Sequence, residues 1–325
     1  MSARSVTPVI VLSLPRSGST LVQRTLSAHP GVATTAEPWL LLSLAAPMRP
    51  RIPWAGGWHR GTSAALHDLA AVMPGGMDDV RKELELAAQR LYEHAAPPGA
   101  GFFIDKTPPY FLVADELFGM LPDARFLFLW RNPLAVVASI VETFCAGRFR
   151  PDDYTVSLFT GLANLVAAFE RHGTRAVSRR YEDLVTGGSE AWAELAVELG
   201  LPFDATAPHR VGELQVDGRF GDVTGTERYR RVDPEPLTKW RATLASPVRR
   251  AWARRYLRWI GARRLATMGY DLGELLAELD ALPYAPATAA ADAADLARSF
   301  ARDAVKRRLV RHDRGPSAWR FVLGS

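Results

Sequence analysis

Short apolar runs alternate along the chain with longer segments of helical spacing. Residues 9–14 are apolar apart from Ser13 and rich in β-branched residues, which predicts a strand buried on both faces. The run leads into Pro15-Arg16-Ser17-Gly18-Ser19-Thr20. Leu21, Val22, Thr25 and Leu26 then fall at helical spacing until His29-Pro30-Gly31 stops the helix. Strand, polar turn and helix together predict a βα unit. The pattern returns with a strand at 102–105 before Thr107-Pro108-Pro109 and a helix over 111–121. A third strand at 125–130 precedes Arg131-Asn132-Pro133 and a helix to about Phe144. A long amphipathic helix is predicted over about 153–172, a strand over 176–181 and a helix from Ser189 to Gly200. Strands alternating with helices imply a mostly parallel sheet covered on both faces, with ligands at the carboxyl ends of its strands. The polar clusters all fall there.

Two segments read as less regular. Residues 38–60 mix Trp39, Trp54, Trp58 and His59 with prolines and glycines, and residues 205–236 are polar. Loops this long inside a compact domain are usually functional. From Pro247 the chain is helical and arginine-rich, and an Ala/Arg helix follows around 289–311. No internal repeat is visible.

Composition sharpens this picture. The chain has 325 residues, 48% of them hydrophobic and 23% charged, ordinary for a globular protein with a large core. The net charge is +5, unevenly distributed. Residues 248–265 hold seven arginines and no acid, and residues 289–325 hold eight basic and four acidic residues. The remainder is therefore net acidic, which argues against a nucleic-acid-binding surface. The seven arginines of 248–265 spread around the helical wheel, whereas Trp252, Tyr256, Trp259 and Ile260 form one stripe. That helix is expected to pack by its aromatic face rather than dock on a membrane or polyanion. The single Cys145 excludes an internal disulfide. The apolar stretch 38–48 is too short to span a bilayer, and no leader pattern is seen at the N-terminus. A cytoplasmic protein without stable membrane insertion is the expectation.

The chemistry starts at residues 13–20. A turn between a buried strand and a helix start exposes backbone N–H groups at the positive end of the helix dipole, a ready site for phosphate or sulfate. Gly18 allows close approach of the anion, Ser17, Ser19 and Thr20 add hydroxyls, and Arg16 adds charge. The alternative is a helix start whose serines and threonine serve only as caps. The loop is not the NTPase P-loop: aligning Gly18 with its second glycine puts Ser13 at the first and Ser19 at the lysine. Only four of the forty basic residues are lysines: Lys82, Lys106, Lys239 and Lys306.

Residues 15–21 resemble the 5′-phosphosulfate loop of the sulfotransferases that use 3′-phosphoadenosine 5′-phosphosulfate (PAPS). Three further segments agree in order and spacing. Arg131 at a strand end, with Ser139 eight residues later, is similar to the family's 3′-phosphate motif. Tyr181-Glu182-Asp183-Leu184 is similar to the segment whose tyrosine lies near the adenine. Leu237-Thr238-Lys239-Trp240 resembles a late segment of the Golgi tyrosylprotein branch, where the lysine supports the cofactor. The resemblance covers about residues 8–245. It implies an α/β, P-loop-like three-layer fold over 1–280, with a helical basic extension over 281–325. It also implies PAPS as sulfuryl donor and no metal.

The resemblance further gives Lys106, with Arg16, the task of neutralising charge on the leaving phosphate. The histidine that cytosolic aryl sulfotransferases carry two residues after the matching lysine is replaced by Pro108. Glu37 instead resembles the glutamate that the tyrosylprotein branch and many bacterial members carry shortly after the first helix. Glu37 is the expected general base, and hydrogen bonding the acceptor is the alternative role. Thr224 aligns without gaps from the 238–240 segment with a serine that assists the leaving group. The expected acceptor is a hydroxyl on a small molecule, carbohydrate or lipid-linked glycan, and the expected assembly is a monomer or homodimer. A P-loop kinase-like phosphotransferase is the rival reading. The missing Walker lysine and the absence of an acidic metal ligand disfavour it.

Overall fold

The apolar run near the N-terminus forms β1 (Thr7–Ser13), the middle strand of a five-stranded sheet. A computed structural model of the chain describes residues 6–49, 52, 57–209, 211 and 235–309. After β1 come α1 (Ser19–Leu26), β2 (Val32–Thr34), α2 (Leu40–Ala45), α3 (Gly57–Ala71), α4 (Met77–Ala95) and β3 (Phe102–Lys106). The next elements are α5 (Ala114–Met120), β4 (Arg125–Trp130), α6 (Pro133–Phe144), α7 (Leu162–His172), β5 (Ala176–Arg180), α8 (Tyr181–Thr186) and α9 (Gly188–Leu199). The C-terminal part contributes α10 (Lys239–Thr243), α11 (Pro247–Thr267), α12 (Leu272–Asp280) and α13 (Ala289–Leu309).

The strand order is β2-β3-β1-β4-β5, and every described pairing is parallel. Because side chains alternate across a strand, each strand feeds two cores. Ile10, Leu12, Phe103, Phe126, Phe128 and Trp130 join the larger core. Val9, Val11, Ile104, Leu127 and Leu129 join the other, beneath Leu21, Val22 and Leu26 of α1 and Trp192 of α9. The architecture is α/β and three-layered, with a parallel sheet as its middle layer. The chain runs from β1 out to β2 and back to β3 on one side, then crosses to β4 and β5 on the other, the arrangement that opens a crevice at the carboxyl ends of the strands.

Four segments depart from the sequence reading. Residues 38–60 are not irregular throughout: Leu40–Ala45 is helical, and α3 begins at Gly57. Leu41 and Ala45 are buried in the larger core, and that packing overrides the flanking prolines and glycines as structural signals. Residues 77–95, where no element was expected, form α4, with Ala88 and Tyr92 buried. The helix expected over 111–121 is divided. Pro108 and Pro109 open a tight 3₁₀ turn, Pro108–Leu112, and Val113 at φ −130° separates it from α5. Likewise, the segment 153–172 passes through 3₁₀ and π turns before α7.

The C-terminal helices pack onto the sheet domain. Trp252 and Tyr256 of α11 are buried, with Phe159 edge-on to both. α13 is tied down by Asp292 to Arg249 and by Asp295 to Arg148. No helix among the described residues is long and apolar enough to cross a membrane.

Candidate active site

The loop after β1 is shaped by two left-handed residues, Arg16 at φ 68° and Gly18 at φ 87°. Ser17 N donates to the Leu14 carbonyl (3.3 Å), and Val22 N makes the first helical bond to Gly18 (3.2 Å). The amides of Ser19, Thr20 and Leu21 therefore precede the helical ladder, and no side chain caps this end among the described residues. Gly18 is required twice over. A Cβ there would lie 2.2 Å from the Tyr181 ring, in addition to the strain of its φ.

Sheet register brings the next residues to this loop. Trp130 pairs with Arg180 across β4 and β5, so Arg131 and Tyr181 each lie one residue beyond that pair. The Arg131 guanidinium sits 4.6 Å from the Tyr181 ring centroid. Its Nη1 donates to the Arg16 carbonyl (2.7 Å) and its Nη2 to the Pro236 carbonyl (3.2 Å). Its Nε is buried without a hydrogen-bond partner among the described residues. Arg16 Nε donates to Ser139 Oγ (3.1 Å), two turns into α6, and its guanidinium lies over Phe144. Arg131 and Ser139 thus reach the same loop from opposite ends, although eight residues separate them. Asn132 begins α6, its Oδ1 accepting from Leu134 N (2.9 Å).

At the end of β3, Lys106 lies on the same sheet face as Ile104 by strand alternation. It is 2% exposed, and its Nζ meets Glu37 Oε1 at 2.8 Å. Glu37 is carried by the segment between β2 and α2. Gln23 of α1 anchors the front of that segment, its Nε2 donating to Thr34 Oγ1 (2.7 Å) and the Thr35 carbonyl (2.6 Å). One carboxylate and one lysine therefore stand together at the sheet's edge. Among the described residues no three His, Cys, Asp or Glu side chains are gathered as a metal site.

A model of the sulfotransferase family matches residues 8–205, which include β1 to β5 and the strand-end residues just described. The chain belongs to the sulfotransferase family. Nodulation protein NoeE of Sinorhizobium fredii (strain NBRC 101917 / NGR234) is 27% identical to it over 297 residues, which are 83% of this chain and 68% of that protein. Among solved structures, a sulfotransferase domain from the curacin biosynthetic pathway superposes with a TM-score of 0.53 at 18% identity. That match covers 83% of this chain and 99% of the domain, and it bears on the fold alone.

Within this sulfotransferase, the remaining expected residues are placed as follows. Ser17 and Ser19 are buried and Thr20 is half-buried at the start of α1. Tyr181 is 1% exposed, so its visible work is to support Gly18 and Arg131 from beneath. Lys239 is exposed at the start of α10, and the structure pairs it with Glu235 (3.0 Å) rather than with the Arg16 group. Its neighbour Pro236 is the segment's point of contact with Arg131. Thr224 lies outside the described residues. His59 Nε2 bonds the Arg49 carbonyl (2.9 Å). Two residues that hold this neighbourhood together were given no role from the sequence, Gln23 and the buried Asp105. Gln23 had a signal, a long polar side chain inside an apolar helix. Asp105 had only its adjacency to Lys106.

Proposed function

We propose that this sulfotransferase moves a sulfuryl group from PAPS to an acceptor hydroxyl, with Glu37 as general base. The observation that supports the reading most is the meeting of Arg131, Arg16 and Ser139 around the Gly18 loop. The residues present fit such a donor. The N-terminal amides of α1 lie beside a glycine with no side chain to block them, and Arg131 keeps one buried N–H without a described partner.

PAPS supplies an activated sulfuryl group on a good phosphate leaving group. The amides of Ser19 and Thr20, with the hydroxyls of Ser17, Ser19 and Thr20, hold its 5′ end. Arg131 and Ser139 hold the 3′-phosphate, and Tyr181 supports the loop near the nucleoside. Lys239 and Thr224 complete the donor side in this reading. Glu37 takes the acceptor proton as the acceptor oxygen bonds sulfur, while the breaking S–O bond leaves its electron pair on the 5′-phosphate. Lys106 and Arg16 offset that charge, as fixed cations do in phosphoryl transfer. Lys106 must shift its hydrogen bond from Glu37 as it does so, which frees the carboxylate. The acceptor is a small-molecule, carbohydrate or lipid-linked alcohol, and Trp39, 38% exposed two residues past Glu37, is the exposed large apolar side chain nearest to the base in sequence.

Titration with 3′,5′-adenosine bisphosphate against Mg-ATP tests the donor site: tight binding of the first and little of the second is expected, and the reverse overturns it. Glu37→Gln should keep bisphosphate affinity within about twofold while lowering turnover about 100-fold or more, in the range of general-base catalysis. Unchanged turnover removes Glu37 as the base.

A further inference from the structure

We propose that Asp105 is a positioning residue, which orients the Thr107 and Tyr110 hydroxyls to hold the backbone at Trp39 and Leu41 and so fixes Glu37 against Lys106. The proposal rests on the reading of Glu37 as base. Asp105 and Lys106 are consecutive at the end of β3, so their side chains leave on opposite faces of the sheet. Lys106 goes to Glu37. Asp105 goes to the larger core, where it is fully buried between Tyr92 of α4 and Tyr110 of the 3₁₀ turn.

Three hydroxyls donate to this carboxylate: Tyr92 to Oδ2 (2.7 Å), Tyr110 to Oδ2 (2.7 Å) and Thr107 to Oδ1 (3.1 Å). A hydroxyl has a single proton, so one that gives it to a carboxylate faces its other neighbours as an acceptor. Two of the three do so on the segment that follows Glu37. Thr107 Oγ1 accepts from Trp39 N (3.4 Å), and Tyr110 OH accepts from Leu41 N (3.1 Å). These amides belong to the start of α2, whose N-terminal N–H groups have no helical partner. Trp39 also sits at φ 55°, a conformation costly for a bulky residue and kept only where neighbours over-determine it.

Gln23 holds residues 34 and 35 from the other side, so Glu37 is suspended between two anchors. The third hydroxyl differs from the other two. Tyr92 OH has Asp105 as its described partner and no described link to residues 39–41. A buried carboxylate is an expensive way to fill a core. Its particular contribution here is to set the polarity of two hydroxyls, which an apolar residue cannot do.

Tyr110→Phe and Tyr92→Phe each delete one phenolic hydroxyl from the same carboxylate oxygen, and comparing them makes the test. Amide hydrogen exchange is read at Trp39 and Leu41. Affinity for 3′,5′-adenosine bisphosphate and turnover of PAPS with a mixture of phenols and hexosides are measured alongside. Tyr110→Phe should speed exchange at Leu41 and lower turnover about tenfold or more, since small misplacements of reacting groups cost up to about 100-fold. Bisphosphate affinity should stay within about twofold. Tyr92→Phe should lower the melting temperature yet leave local exchange and turnover near the parent values. In a Glu37→Gln background, Tyr110→Phe should lower turnover no further, as expected of residues acting through one another. Equal effects of the two tyrosine variants, or a full further loss in the double variant, overturns the proposal. Full turnover in Glu37→Gln alone overturns the base reading, and the exchange rates still decide the anchoring.

Discussion

Arg131 and Arg249 are almost equally buried, at 7% and 8% exposure, yet the protein treats their charges in opposite ways. Arg249 is closed by its own fold. Its Nε and Nη2 reach Asp292 (2.9 and 2.8 Å), and its other N–H groups donate to the Thr243 and Gly147 carbonyls. Arg131 makes two bonds to carbonyls and one ring contact, has no carboxylate partner among the described residues, and keeps Nε unbonded there. A buried charge with a matched carboxylate is structural. Arg131 lacks such a partner among the described residues, which suits the anion-binding role proposed for it.

The largest effect is expected from opening the closed site. Arg249→Met leaves Asp292, 2% exposed, without its cation and should cost about 3–5 kcal/mol in denaturant unfolding. Combining it with Asp292→Leu should restore most of that loss. Bisphosphate affinity should not change in either protein, and a large change would join the two arginines that the comparison separates. Next is Arg131→Met, expected to weaken bisphosphate binding by about 2–5 kcal/mol, the range for a buried charge pair that loses one partner. Stability should change little, since no carboxylate among the described residues is left unpaired. Isothermal titration and thermal melts together separate these outcomes.

The smallest effect contrasts two buried carboxyls by pH. Burial pushes Asp105 up to about 6, despite hydrogen bonds from Tyr92, Tyr110 and Thr107 and the nearby Lys106 charge. Its folded state binds the proton more tightly than the unfolded chain, so its contribution is full below about pH 4 and lost as pH rises through 6. Burial alone would raise Asp292 too, but hydrogen bonds from Arg249 and Thr288 outweigh it and hold the carboxyl below its usual value. Its contribution is present above about pH 4 and is lost on acidification below it. Asp105→Asn should therefore flatten the fall in stability between pH 4 and 7, by at most about 3 kcal/mol over the interval. Asp292→Asn should act only on the acid limb. Chemical denaturation at closely spaced pH values reads both, and a parent slope that survives Asp105→Asn would refute the assignment.

Much of this was legible before any coordinates. Residues 9–14 and 125–130 announced buried strands because a strand covered on both faces needs apolar residues at nearly every position. Gly18 between Arg16 and the serines marked a turn at a helix start, and Trp252, Tyr256 and Ile260 marked the packed side of α11. Residues 40–45 and 77–95 were harder. Their helices are secured by burial of a few residues, Leu41, Ala45, Ala88 and Tyr92, against a core assembled from distant segments. Neither lies beside the turn chemistry that made the βα units visible.

The residue sequence by itself determined the strand–turn–helix order, the placement of polar clusters at strand ends and the motifs that mark a sulfotransferase. These are local properties, encoded in side-chain periodicity and in backbone preferences over a few residues. Only tertiary structure decided which charges meet a carboxylate among the described residues. Sheet register set Arg131 beside Tyr181 and the Arg16 carbonyl, strand alternation parted Asp105 from Lys106, and helix packing gave Arg249 its aspartate. The contacts of Arg131 and Arg249 depend on pairing segments from some forty to more than a hundred residues apart. That is why a sequence rich in arginine did not reveal, on charge alone, which of them would be matched by a carboxylate.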